Sequence, residues 1–180
     1  LNRERLDGYL IPKNDEFFGE YVPHHKDDLR LISNFSGSYG LALILRNSNF
    51  LFVDGRYTLQ ANSQSGKNFK IISLPLEKNK FNLNIVNKKI GFNPRLFNEH
   101  FIKYLSGKLF FKSISVNDNL MESLKKKKTI SYPKSFYTLG KSITGNSSIN
   151  KIKNLMVVNS KKKIDLMLIT ASENIAWLLN

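Results

Sequence analysis

The chain has 180 residues, 41% of them hydrophobic, with 28 Lys or Arg against 14 Asp or Glu and a formal charge of +14. That length supports one good core and the start of another, and no apolar run approaches the ~20 residues that cross a membrane. The absence of Cys excludes disulfides and thiol chemistry, and the charged first residues carry no signal-peptide h-region, which together fit a cytoplasmic protein.

Along the chain, Leu6 to Ile11 reads as a strand and Asp27 to Ser33 as a helix, with Leu29 and Ile32 three apart on one face. Leu41 to Leu45 and Phe50 to Val53 read as a hairpin closed by the turn-favouring Asn47-Ser48-Asn49. Tyr57 to Gln64 is expected to be helical, and Phe69 to Leu74 and Ile90 to Phe92 to be strands. Asn93-Pro94 is expected to open a helix reaching about Tyr104, because Pro at the first position loses no helical hydrogen bond. Ser113 to Val116 reads as a strand, with Asn117 or Asp118 capping a helix whose face is Leu120, Met121 and Leu124. Strands alternating with helices, plus one hairpin, define an α/β fold: a mixed sheet flanked by helices.

The stretch Tyr132 to Gly145 contains Pro133, Gly140, Gly145 and several Ser and Thr without a sustained period, a linker signature. Beyond it, Asn146 or Ser147 can cap a helix to about Lys161, Ile164 to Thr170 reads as a strand, and Ser172 can cap a last helix. The expected organisation is a domain over 1–140, a linker over 141–146 and the first βα unit of a second α/β domain over 147–180. Trp177, among Ile175, Leu178 and Leu179, reads as core. The chain opens on Leu1 and stops in an apolar helical pattern without a cap, so it reads as a piece of a longer protein.

The basic runs Lys125 to Lys128 and Lys161 to Lys163 each follow a helical pattern, where cations complement the helix dipole. Neither an RNA-binding aromatic pattern nor a helix-turn-helix spacing is present, so the charge reads as uniform basicity, and no nucleic-acid partner is expected. Catalytic constellations are mostly absent. The histidines are His24, His25 and His100, and none has carboxylates at a spacing that builds a metal site from one element. Asp27 and Asp28, being adjacent, diverge on a helix. Ser36-Gly37-Ser38-Tyr39-Gly40 leads into a strand and lacks a phosphate-binding motif.

One segment stands out: Phe52-Val53-Asp54-Gly55-Arg56-Tyr57-Thr58-Leu59-Gln60-Ala61. An apolar strand stops at Asp54-Gly55, a strong turn signal, and helix-compatible residues follow, so Arg56 sits where one long cation can be aimed at a partner. The order Glu20-Tyr21-Val22-Pro23, then Asn34-Phe35-Ser36-Gly37-Ser38-Tyr39-Gly40, then Val53-Asp54-Gly55-Arg56-Tyr57 resembles the amino-terminal domain of the Xaa-Pro aminopeptidases of the creatinase/prolidase superfamily. Ile175-Ala176-Trp177-Leu178-Leu179-Asn180 resembles the segment that opens that family's second domain. The family usually has Gly where this chain has Asn34, a mild change because Asn tolerates left-handed backbone.

The resemblance implies a metallopeptidase that removes the amino-terminal residue before a proline, acting on peptides with proline second and forming a homodimer. It implies two manganese ions, held by two Asp, one His and two Glu in a carboxy-terminal domain of pita-bread fold, and none bound by this portion. It also implies one substrate-binding residue here, Arg56, whose planar guanidinium suits a peptide carboxylate or carbonyl, with Asp54, Gly55 and Tyr57 as supports. A structural alternative makes Arg56 the partner of Asp54 or of a helix carbonyl. Two other functions stay open at this point: a non-catalytic relative serving as a protein-interaction module, and a basic nucleic-acid binder.

Overall fold

The computed structural model describes residues 1, 5–19, 21–76, 83–117, 120–125 and 135–180. Two compact units emerge, Leu1–Lys126 and Lys127–Asn180.

In the first unit six strands form one sheet: β1 (Gly8–Pro12), β2 (Gly40–Leu45), β3 (Asn49–Asp54), β4 (Lys70–Leu74), β5 (Lys89–Phe92) and β6 (Lys112–Ser115), in the order β4-β3-β2-β1-β5-β6. The hairpin pairs β2 with β3 antiparallel, with Leu43 opposite Phe50, and β1 joins β2 antiparallel, with Leu10 opposite Leu43. The pairs β3–β4, β1–β5 and β5–β6 are parallel. The expected mixed α/β sheet is therefore present.

Because side chains alternate along a strand, each central strand feeds two cores. Leu10, Leu41, Leu43, Leu45, Phe50 and Phe52 face one, closed by Ile102 and Leu105 of α3 (Glu99–Leu109). Tyr9, Ile11, Ala42, Leu51 and Val53 face the other, closed by Leu29 of α1 (Asp28–Ser33) and Ala61 of α2 (Thr58–Ser65). Covering both faces explains why these strands read as continuous apolar runs rather than as an alternation.

Local chemistry sets the helix ends. Asp27 caps α1 by accepting from Arg30 N–H at 3.1 Å, and Asn34, at φ 62°, ends it in the left-handed conformation that Asn tolerates. The single helix expected from Asn93 is instead two elements. Asn93 caps only a 3-10 turn, Pro94–Leu96, and α3 starts afresh at Glu99 under an Asn98 cap. Phe97 breaks the run by adopting extended backbone, which buries its ring against Phe92 at 5.8 Å. The helix expected after Asn117 or Asp118 is reduced, among the described residues, to a 3-10 turn, Glu122–Leu124; Asp118 lies outside them.

The second unit holds α4 (Lys141–Thr144), α5 (Ser148–Lys161) and α6 (Ser172–Leu179). Ser147 caps α5, accepting from Asn150 N–H, as expected, whereas Ala171 rather than Ser172 precedes α6. Residues 164–170 do not form the expected strand: Leu166 and Leu168 are exposed, and no strand among the described residues of this unit lies ready to pair with them. Trp177 is not core either. It is 65% exposed, with Lys151 Nζ 4.4 Å from its ring centroid, because α5 and α6 alone cannot enclose an indole.

Tyr9 offers a test of the first unit. Its hydroxyl is buried without a hydrogen-bond partner among the described residues, and burial, aided by the Asp28 carboxylate, pushes its pKa up to about 12. A folded-state value raised above the ordinary one, near 10, contributes stability below pH ~10 that is lost as pH rises toward ~12. Tyr9→Phe should match or exceed the parent in stability at neutral pH, and its advantage should widen above pH ~10. Denaturant melts of both proteins across that range check this; a constant difference would contradict it.

Candidate functional site

Asp54 is the last residue of β3, paired with Leu74 of β4, and Gly55–Tyr57 turns the chain into α2. The Asp54 carboxylate organises that turn. Its Oδ1 accepts from Arg56 backbone N–H at 2.9 Å and from Arg56 Nε at 2.9 Å, and its Oδ2 accepts from Nη2 at 3.4 Å. The guanidinium is thus folded back on its own turn, as the structural alternative foresaw, with its side chain 78% exposed and its centre 5.7 Å from the Tyr57 ring. The hydrogen bonds from Arg56, side chain first, hold the Asp54 carboxyl below the usual range, and Asp54 in return raises Arg56. An exposed ion pair of this kind adds little to fold stability. Its effect is to orient the guanidinium, leaving Nη1 without a partner among the described residues.

The second motif packs onto this turn. Phe35 is fully buried and meets the Tyr57 ring edge-on at 5.9 Å, 80° between planes. Ser38 Oγ and Tyr57 hydroxyl lie 2.7 Å apart, and Ser36 N–H donates to Gln64 Oε1 at 2.9 Å. The Gln60 amide donates to Ser36 Oγ at 2.9 Å, and Ser65 Oγ donates to the Ser33 carbonyl at 2.7 Å. Glycine is required at 37 because a Cβ there would stand 2.2 Å from Phe35 Cζ. The motifs 34–40 and 53–61 therefore form one corner. Its partners lie up to 32 residues apart in sequence; the two motifs and the Asp54-Gly55 turn marked its pieces, but no local pattern announced the contacts between them.

The other sequence candidates do not join this corner. His24 and His25 lie in an exposed 3-10 turn, and His100 is exposed on α3. Asp27 and Asp28 do diverge: Asp27 pairs with Lys13, and Asp28 Oδ1 meets Lys125 Nζ at 2.8 Å. Glu20 lies outside the described residues. Among those residues no group of three or more His, Asp or Glu could hold a metal ion, and no helix is long and apolar enough to cross a membrane.

This fold and corner define a class. Residues 1–125 match the model of the creatinase/prolidase N-terminal domain, and the chain belongs to that family. Xaa-Pro aminopeptidase 1 of Dictyostelium discoideum is 34% identical over 200 residues, an alignment covering 100% of this chain and 31% of that protein. The crystal structure of X-prolyl aminopeptidase from Caenorhabditis elegans, described as a cytosolic enzyme with a di-nuclear active site, superposes with a TM-score of 0.65 at 22% identity, covering 96% of this chain and 30% of that one. The N-terminal domain of the cytoplasmic peptidase PepQ from Mycobacterium tuberculosis gives 0.51 at 24% identity, over 69% of this chain and 91% of that one. At these identities the two structures establish a shared fold. The chain spans about three tenths of the length of the curated relatives it matches.

Gly37→Ala tests how the corner is built. The added methyl must displace a buried ring, so the substitution should cost about 1–3 kcal/mol of stability. It should also remove the upfield shifts that the Phe35 ring imposes on neighbouring protons in the NMR spectrum. A loss below ~0.5 kcal/mol, the range of ordinary surface changes, would show that Phe35 does not fix the loop.

Proposed function

We propose that this chain is the amino-terminal, non-catalytic portion of a Xaa-Pro aminopeptidase, a cytoplasmic metallopeptidase that removes the residue before a proline, and that Arg56 contacts the bound peptide. The observation carrying this reading is the corner itself: a guanidinium at a strand end, 78% exposed, pre-aimed by Asp54 and backed by Tyr57 on a buried support. It is favoured by Xaa-Pro aminopeptidase relatives whose alignments cover the entire chain.

The chemistry available to these residues is binding. While Asp54 holds Nε and Nη2, Arg56 can donate from Nη1, unpartnered among the described residues, to a peptide carboxylate or carbonyl. The two manganese ions of the proposed whole enzyme would supply Lewis-acid activation and charge stabilisation. In this reading the ligands for those ions lie in the carboxy-terminal domain rather than in this portion. A homodimer is proposed for the whole protein, with the domain 1–140 and the segment from 147 as its first two structural parts. Uniform charge and the family membership favour this reading over a nucleic-acid binder.

Two outcomes follow. Supplied with manganese, the 180-residue chain should release no amino-terminal residue from a Xaa-Pro peptide; turnover above a chelated control would reveal a site of its own. In the whole enzyme, Arg56→Ala should lower kcat/KM by roughly ten- to a hundred-fold, the value of a charge-assisted contact, with little change in melting temperature. Arg56→Lys should recover only part, because an ammonium cannot reproduce the fork. A depressed melting temperature with unchanged kinetics would assign Arg56 a structural role.

A further inference from the structure

At the same end of the sheet, but on the far side of β1 from the Arg56 corner, the carboxyl ends of β1, β5 and β6 open into a cleft of about 380 Å³. Its position follows from the topology. From β1 the chain moves to β2 on one side, whereas β5 and β6 lie on the other, so strand order reverses between β1 and β5. Such a reversal parts the connections above the strand ends and is where open α/β sheets bind ligands. Asn14, Asp15 and Glu16 follow β1, Asn93 and Arg95 follow β5, and Asn117 follows β6; all six line the cleft.

Most of the charge around it is already matched. Lys26 pairs with Glu16, and Lys125 meets both Asp28 and Glu122. Two lining charges are not. Arg95 makes no side-chain hydrogen bond or ion pair among the described residues, although its charge, after the hydrogen bond from Lys26, helps hold the Glu16 carboxyl below its ordinary value. Asp15 is 5% exposed, yet among the described residues its carboxylate accepts only from Phe17 N–H, through Oδ1 at 3.0 Å. Beside them Asn93, 7% exposed, accepts from Arg95 N–H through Oδ1 at 3.0 Å, and its amide donors have no partner among the described residues. A buried carboxylate with an idle oxygen and a guanidinium with idle donors form the complement of a small dipolar ion. A carboxylate largely withdrawn from solvent favours a cationic partner, and a simple anion would leave it unmet.

We propose that this cleft binds a zwitterion of the free α-amino-acid class, its carboxylate on Arg95 and the Asn93 amide, its ammonium on Asp15. The volume lies in the range that holds small ligands. The site shares no residue with the Arg56 corner, so it stands or falls independently of the peptidase reading.

The test is a calorimetric and NMR titration of the whole chain with L-alanine, L-alaninamide, which lacks the carboxylate, and N-acetyl-L-alanine, which lacks the ammonium. Alanine should bind saturably and shift resonances of residues 14–16 and 93–96, with each analogue about ten- to a hundred-fold weaker. Arg95→Ala should weaken alanine by a similar factor while leaving residual alaninamide binding unchanged, since the group that Arg95 recognises is already gone. Arg95 is exposed and, among the described residues, unpaired, so its removal should leave the melting curve intact; Asp15→Asn, which keeps shape and removes charge, supplies the converse test with N-acetylalanine. The proposal is overturned if alanine shows no saturable binding, if acid and amide bind equally, if acetate or phosphate binds as well as alanine, or if Arg95→Ala has no effect.

Discussion

The Phe35 ring is the contact on which the candidate substrate corner rests. It is fully buried, and burying a phenylalanine is worth about 1.5–3 kcal/mol. To reach that position the chain must leave α1 through a left-handed Asn34, pass the ring at Gly37 with no Cβ, and enter β2 at Gly40, where a Cβ would again approach Phe35 Cε1 at 3.1 Å. The ring then presents its edge to Tyr57, and Tyr57 backs Arg56. The polar bonds of the corner, from Ser36 to Gln60 and Gln64 of α2, from Ser38 to Tyr57 and from Ser65 to Ser33 at the end of α1, close around this one apolar anchor. The polar bonds orient; the ring supplies the free energy that keeps the loop down.

Arg56 and the Asp15–Arg95 cleft illustrate two ways of keeping a charge ready. In the corner, an exposed pair holds the guanidinium by geometry at little energetic cost either way. In the cleft, neighbouring pairs leave one carboxylate and one guanidinium uncommitted among the described residues, and the proposed readiness comes from incomplete satisfaction. Both sit at the end of the sheet where β1, β3, β4, β5 and β6 terminate, which is where connections diverge and side chains can converge from several elements.

Much of the first unit was legible in the sequence. The hairpin over Leu41 to Val53 announced itself through two apolar runs and an Asn-Ser-Asn turn, and Asp54-Gly55 marked the site corner because both residues have strong local preferences. The Asn93-Pro94 segment was misread because its local signal for a helix start was real, but Phe97 gained more by entering the core than by continuing a helix. Long-range partners such as Ser36 with Gln64, or Ser65 with Ser33, left no trace in local pattern. In the second unit, the apolar composition of Ile164 to Thr170 and Trp177 is genuine, but a strand and a core each need neighbours, and α4, α5 and α6 provide neither a paired edge nor an enclosing layer.

The central claim is that Asp54 serves the site by aiming Arg56, and the most direct measurement is a double-mutant cycle in the whole enzyme on Asp54→Asn and Arg56→Ala, following kcat/KM and melting temperature together. If Asp54 acts through Arg56, the double variant will be no slower than Arg56→Ala alone, while the melting temperatures stay within a few degrees of the parent. Additive losses in kcat/KM, or a cycle in which only the melting temperature responds, would contradict it.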